Sequence, residues 1–302
     1  MRYVDRFPDP HSRRFDKAEW RDEHGTANVI IHCQSSGIAF PKHWGPLSLK
    51  TTLSGHEYYV TRHSTHRVTP ERLLILNEDT TYASYIRDGE TAESFTINFS
   101  ADFIRTVLRD SLSDGMQKLD NPFSDDAPSV QFPEYTLPYH HAIRVRLNRI
   151  RRCLTMPADL NGRVDEELSF LYEAMCTLSV SENKKIRDLP FQKASTREEM
   201  YRRLQRVRDY MDACYAEPIN LHDLSRVACL SVHHLIRLFK SHFLCTPHQY
   251  LIRCRLLEAK RLTETTSLRI EDIARRVGFE DRSSFSRLFR HHFDKNPSDR
   301  TQ

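Results

Sequence analysis

Glycine is scarce in this chain, with eight in 302 residues, and only Gly278 lies beyond residue 162. No G-x-x-x-x-G-K-[ST] phosphate loop can be assembled from them, and neither H-x-H nor H-E-x-x-H occurs anywhere. No apolar run approaches the roughly 18 residues that a membrane span needs. The opening stretch MRYVDRFPDP lacks the short apolar core of a secretory leader. Seven cysteines form an odd, scattered set without a C-x-x-C pair. They read as reduced thiols used as small core residues rather than as a disulfide framework. Together these absences predict a cytoplasmic protein without membrane contact, metal or cofactor.

Charge is present but uneven. The net charge is only +4. Residues 197–302 hold 20 lysines and arginines against 14 aspartates and glutamates, whereas residues 1–196 hold 25 against 27. A basic last third behind a near-neutral front suggests a polyanion partner at one end.

Residues 28–99 read as short strands. In SFTINF (94–99) Phe95, Ile97 and Phe99 alternate with Ser94, Thr96 and Asn98, the period of a half-buried strand. RLLILN and YASYIR are further strands, with NEDTT as the turn between them. Closely spaced strands without long helices between them predict an antiparallel sandwich or small barrel. Ser100 is placed to cap a following helix, ADFIRTVLRD.

Beyond the loop at 124–135 the period turns helical. Ile143, Leu147, Ile150 and Leu154 form one stripe, and Leu168, Leu171, Met175 and Leu178 another, widened by Phe170 and Tyr172. This helix pair either covers the sheet or offers a stripe to a second subunit. The polar stretch 181–196 has no sustained period and reads as a linker.

From residue 198 the chain is helical and repeats itself. IRLFKSHFLCTP (236–247) returns as SRLFRHHFDKNP (286–297), and INLHDLSRVACLS (219–231) returns as LRIEDIARRVGFE (268–280). Each copy is a short helix, a tight turn and a second helix. Gly278 occupies the turn of the second copy, and Cys229 the same slot in the first. Leu235, Leu238, Phe239 and Phe243 share one face of the first copy's second helix, with Phe285, Leu288, Phe289 and Phe293 as counterparts. The opposite face presents His233, Arg237, Lys240 and Ser241 in one copy, and Ser283, Arg287, Arg290 and His291 in the other. Paired helices with matching outward arginines suit the major groove, where arginine can pair with guanine O6 and N7. Between the copies TPHQYLIRCRLLEAKRLTET reads as one helix, with Thr246 as N-cap and Pro247 in its first turn.

Residues 199–302 resemble the DNA-binding domain of the AraC/XylS family of bacterial transcription regulators, most specifically over IEDIARRVGFEDRSSFSRLFRHHFDKNPSDR. More loosely, RLLILNEDTTYASYI followed by ESFTINFSADFI resembles the cupin-like sensor barrel of arabinose-regulator-type members. The resemblance implies a multidomain α+β chain. Its parts are a cupin-like antiparallel β barrel with helices over 1–135, a dimerising helical pair over 136–182, a linker over 183–197 and an all-α domain over 198–302. That last domain carries two helix–turn–helix units among seven helices, with the third and sixth reading double-stranded DNA. By position the base-contacting slots fall on His233, Ile236 and Arg237 in the first unit. In the second they fall on Arg282, Ser283, Ser284, Ser286 and Arg287. Lys240 and Arg290 are the phosphate-side candidates. Ile236, apolar in a reading slot, either meets a thymine methyl or only packs.

The resemblance further implies a small effector in the front domain, a sugar or another polar metabolite, together with a homodimer and RNA polymerase as a partner. His32, His43, Trp44, Tyr58 and Tyr82 are the effector candidates, because stacking and hydrogen-bonding side chains suit a polar ring. A competing reading is a metal-dependent cupin enzyme fused to a DNA-binding tail. It meets an obstacle in the 13 residues separating His43 from His56, without a nearby H-x-H.

Overall fold

Short strands along residues 29–98 build two sheets in the computed structural model, which describes residues 1–5, 27–112, 130–155 and 160–299. The strands are β1 (Arg2–Val4), β2 (Val29–Ser36), β3 (Ala39–Trp44), β4 (Ser48–Ser54), β5 (Glu57–Val60), β6 (Thr65–Val68), β7 (Arg72–Leu76), β8 (Thr81–Tyr85), β9 (Thr91–Asn98) and β10 (Leu137–Pro138). One sheet has the order β1-β2-β9-β4-β7-β10 and the other β3-β8-β5-β6. All pairings are antiparallel except β1 with β2.

The expected strands RLLILN and YASYIR are β7 and β8. Strands β1 and β10 carried no usable sequence pattern. Strand β10 also extends the sheet domain past the boundary expected at residue 135, since Leu137 pairs with Leu73.

On the larger sheet Ile30, Leu49, Leu73, Ile75, Phe95 and Ile97 share one face and are all inaccessible to solvent, with His32 and Thr51 on the same face beside Phe95. Helices α1 (Ala101–Leu112), α2 (His141–Leu154) and α3 (Leu160–Arg187) belong to the same body. The Ser100 hydroxyl caps α1, accepting from the Phe103 amide at 3.2 Å. Phe99, just after β9, meets Tyr172 of α3 edge-on at 6.1 Å. The stripes Ile143/Leu147/Ile150 and Leu168/Leu171/Met175 are buried within this single chain. Of the two roles open to the helix pair, its apolar stripe is therefore spent on the chain's own core. Glu167 joins the helices by accepting from Arg146 and Arg149.

The chain divides into two bodies, Met1–Asp188 and Leu189–Gln302. The stretch expected to be a linker, 183–197, is mostly helix. Helix α3 continues to Arg187, and α4 (Ala194–Cys214) has begun by residue 194, so only six residues join them. Polar residues on an exposed helix face look the same in sequence as polar residues in a linker.

The second body contains α4, α5 (Leu221–Ala228), α6 (Val232–Phe243), α7 (Pro247–Thr265), α8 (Ile270–Arg276) and α9 (Arg282–Phe293). These are six helices among the described residues, and a seventh beyond residue 299 would lie outside them. One core joins Leu204, Val207 and Met211 of α4 to Leu235 and Phe239 of α6 and Phe285 and Phe289 of α9, among others. Helix α7 carries the expected start: Thr246 accepts from the Gln249 amide, Gln249 accepts from the Thr246 amide, and Pro247 follows. Its 19 residues make a rod of about 28 Å.

Candidate nucleic-acid interface and sensor interior

Helices α6 and α9 are built alike. Each begins at a capping side chain: Ser231 accepts from the His234 amide at 3.4 Å, and Asp281 accepts from the Ser284 amide at 2.7 Å. Each ends at a residue in the left-handed region, Leu244 (φ 59°) and Asp294 (φ 54°). Each drives one apolar stripe into the common core, with Leu235, Leu238 and Phe239 buried in α6, and Phe285 and Phe289 in α9. Phe243, Leu288 and Phe293 pack at its edge, half-buried.

Burial of that stripe decides what faces outward. His233, Arg237, Lys240, Arg282, Ser283, Arg287 and Arg290 are exposed, while Ile236, Ser284 and Ser286 are half-buried at the flanks. Arg237 and Arg287 thus stand at the same place on two equivalent helices. None of Arg237, Lys240, Arg282, Arg287 and Arg290 has a hydrogen bond or ion pair with another described residue.

Elsewhere in this body most guanidinium groups are engaged. Arg203 donates to Glu199 and to the Cys229 carbonyl, Arg208 to Asp209, Arg255 to the Tyr215 and Glu217 carbonyls, and Arg261 to Glu258. Arg226 pairs with Asp223, and Arg275 with Glu271. Arg206, Arg253, Arg269 and Arg276 are also without a hydrogen bond or ion pair to a described residue, so the distinction is one of concentration. On α6 and α9 every lysine and arginine is available to an outside anion.

The two turns are anchored differently, the second against the loop between α4 and α5 and the first on α4. Arg255 of α7 clamps the carbonyls of Tyr215 and Glu217, between α4 and α5, at 2.7 and 2.9 Å. Gly278, at the turn before α9, lies against Ala216 in that clamped loop. A Cβ on Gly278 would come within 2.7 Å of the Ala216 carbonyl oxygen. The first turn uses Cys229 in the left-handed region (φ 49°), its carbonyl held by Arg203 at 2.9 Å.

In the sheet domain the alternation places polar side chains between the sheets. Glu57 of β5 accepts from the Ser94 hydroxyl of β9, in the opposite sheet, at 2.7 Å. Lys50 of β4 donates to the Tyr82 hydroxyl of β8 at 3.0 Å. Tyr59, Val68, Leu74, Leu76 and Tyr82 form an apolar patch beside them. Burial pushes the Glu57 carboxyl above its ordinary range, against hydrogen bonds from Ser94, Tyr59 and Ser84.

The effector candidates divide by strand parity. His43 and Tyr82 are paired across β3 and β8 with ring centroids 4.4 Å apart, so they share the inner face. Tyr58 alternates with inward Glu57 and Tyr59, and it stacks on Tyr85 at 4.9 Å on the other face. His32 alternates with Ile31 and Cys33 and bonds Glu93 at 2.8 Å, also away from the interior. Trp44 is 49% exposed. Tyr58, His32 and Trp44 therefore do not share the inner face with His43 and Tyr82. Lys50, Glu57, Ser84 and Ser94 are the inner polar residues that attention to rings and histidines passed over. For Lys50 and Glu57 the signal was present in the spacing of SLKTTLSGHEYY.

A separate open cleft of about 610 Å³ lies outside the sheets, where Phe103 and Val107 of α1 face Asp165, Ser169 and Glu173 of α3. Among the described residues no group of three His, Cys, Asp or Glu side chains is placed to hold a metal ion. No described helix is long and apolar enough to cross a membrane.

Comparison with known proteins matches two parts of the chain. A family model described as AraC-like ligand binding domain covers residues 29–171, and one described as helix-turn-helix domain covers 224–302. The lactose operon transcription activator of Staphylococcus xylosus is 33% identical over 96 residues, which is 32% of this chain and 34% of that protein. The HTH-type transcriptional activator RhaS of Enterobacter sp. (strain 638) is 37% identical over 95 residues, again 32% of this chain and 34% of that protein. Each match thus spans about a third of the relative's length. The DNA-binding domain of AdpA, solved in complex with a target DNA, is 28% identical, covering 32% of this chain and 86% of that one with a TM-score of 0.31.

Proposed function

We propose that this chain, which belongs to the AraC/XylS family through its two matched domains, is a sequence-specific DNA-binding transcription regulator controlled by a small polar effector in its β domain. The observation that carries the reading is the repeated surface of α6 and α9, equivalent helices whose cations are exposed and unpartnered above one shared core. An α-helix fills a major groove, and two helices set against a rod of about 28 Å suit successive grooves near 34 Å apart. His233, Ile236, Arg237, Arg282, Ser283, Ser284, Ser286 and Arg287 read bases in this scheme, and Lys240 and Arg290 hold phosphates.

The family pattern supports the remaining parts of the reading. The protein acts in the cytoplasm as a homodimer, without enzymatic turnover. It meets RNA polymerase beside its site and takes a sugar or related metabolite between the sheets. Genome-wide footprints of the bound protein would supply operator fragments for gel shifts. Binding should be site-specific, with log K falling linearly as log salt rises. Binding that ignores sequence, or that survives high salt unchanged, would remove the reading.

A further inference from the structure

Inside the barrel one charge is electrostatically incomplete. Lys50 is 4% exposed, and its sole hydrogen-bond partner among the described residues is the neutral Tyr82 hydroxyl. The ammonium also lies 5.0 Å from the Tyr82 ring centroid and 5.8 Å from that of Tyr59. An ammonium has three donors, so a phenol oxygen and two ring faces leave it short of acceptors.

No carboxylate of a described residue comes within ion-pair distance of Lys50. Glu57 acts on it only from farther away, and its own carboxyl is engaged by Ser94 and favoured in the neutral form by burial. A buried, half-satisfied cation is costly unless something else completes it. Thr96, directly opposite Lys50 in the register, and two more polar side chains line the same inner wall. Ser48 Oγ, two residues along β4 from Lys50, is buried without a partner. Asn98 Oδ1, on the residue directly opposite Ser48 in the β4–β9 register, is likewise buried without one.

We propose that the barrel interior is built for a small organic acid, whose carboxylate accepts from Lys50 and whose hydroxyl groups meet Ser48 and Asn98 beside the Tyr59 and Tyr82 rings. This rests on the reading of the β domain as the effector site and narrows the effector from any polar metabolite to a carboxylate. A neutral sugar would satisfy Ser48 and Asn98 but leave the Lys50 charge uncompensated. A hydroxy acid or sugar acid satisfies all three.

The test uses the full chain and two matched pairs of probes at constant ionic strength: gluconate against glucitol, and acetate against acetamide. Thermal unfolding and calorimetry should show gluconate binding at least tenfold tighter than glucitol, with acetate weaker but still ahead of acetamide. Lys50→Met keeps the aliphatic stem and removes the charge, so it should lose at least tenfold in acid affinity while leaving glucitol unchanged. Should that variant fail to fold by circular dichroism, the labelled Lys50 side chain in the wild type provides a second readout. Its NMR signals should move with gluconate and stay still with glucitol. Equal binding of acid and neutral probes, in wild type and Lys50→Met alike, would overturn the acid while keeping the barrel as the sensor. No response to any of the four probes would overturn the acid and the sensor reading together.

Discussion

The two helix–turn–helix copies share a core stripe and an outward face, yet they close their turns by different means. In the first copy the turn residue is Cys229, exposed and left-handed, with room for its side chain. In the second it is Gly278 (φ 90°), and a Cβ there would strike the Ala216 carbonyl. The left-handed conformation alone costs a side chain about 1–2 kcal/mol, which the first copy tolerates. The second turn additionally presses on the loop that leads into the first copy. Glycine is therefore required where two parts of the chain meet, and only preferred where a turn stands alone. The copies are joined through that loop and through Arg255, and do not behave as separate beads.

Removing the core from under either copy should have the largest effect. Phe239→Ala and Phe289→Ala should each cost about 3–5 kcal/mol in denaturant unfolding, because both rings belong to one cluster. If one substitution unfolded its copy and left the other intact by hydrogen exchange, the copies would be independent after all. Turn chemistry comes next: Gly278→Ala should cost about 2–3 kcal/mol, the left-handed penalty plus the collision. Cys229→Gly should gain about 1 kcal/mol by the same conformational argument, so the equivalent slots respond with opposite signs.

On DNA the comparison sharpens. Arg287→Ala should cost about 1–3 kcal/mol and relax one base position in a binding-site selection. Ile236→Ala should cost less and relax little, which would make the second copy the stronger reader. Lys240→Ala should weaken all sequences alike and flatten the salt slope by roughly one.

The caps should show the smallest difference, and it depends on pH. Ser231 is neutral, and its replacement by alanine should cost about 1 kcal/mol at any pH. Asp281 accepts the Ser284 amide and feels Arg287, which together hold its carboxyl below the usual carboxylate range. A depressed folded value means that the contribution is present above the unfolded carboxylate value, about 3.9. It is lost as pH falls through the lower folded value. An NMR titration of the Asp281 carboxyl should give that lower midpoint, with α9 fraying at its first turn below it while α6 stays unchanged.

Much of the C-terminal body was legible because amphipathic helices carry their own burial code. The apolar stripe of 235–243 and its echo at 285–293 named the inside, and by subtraction the exposed arginines. The capping residues Ser231, Thr246 and Ser100 could be read from local chemistry. What could not be read was the pairing state of the cations. Arg237 and Arg255 are alike in sequence, but one is free and the other clamps two carbonyls brought near by folding. In the β domain, rings and histidines drew attention to His32, Trp44 and Tyr58, although a strand sends its neighbours to opposite faces. Only the sheet register showed which parity faces the interior.

Local pattern by itself thus determined the central strands RLLILN and YASYIR, the duplicated helix–turn–helix and the face that each of its second helices buries, since each depends on residues a few positions apart. The tertiary structure alone decided which charges remain without partners, why Gly278 must be glycine, and that Lys50 lies between two sheets with a single hydrogen-bond partner among the described residues. Those depend on contacts between strands and helices far apart in the chain, and a buried charge or a missing Cβ acquires its energetic meaning only from what folding places beside it.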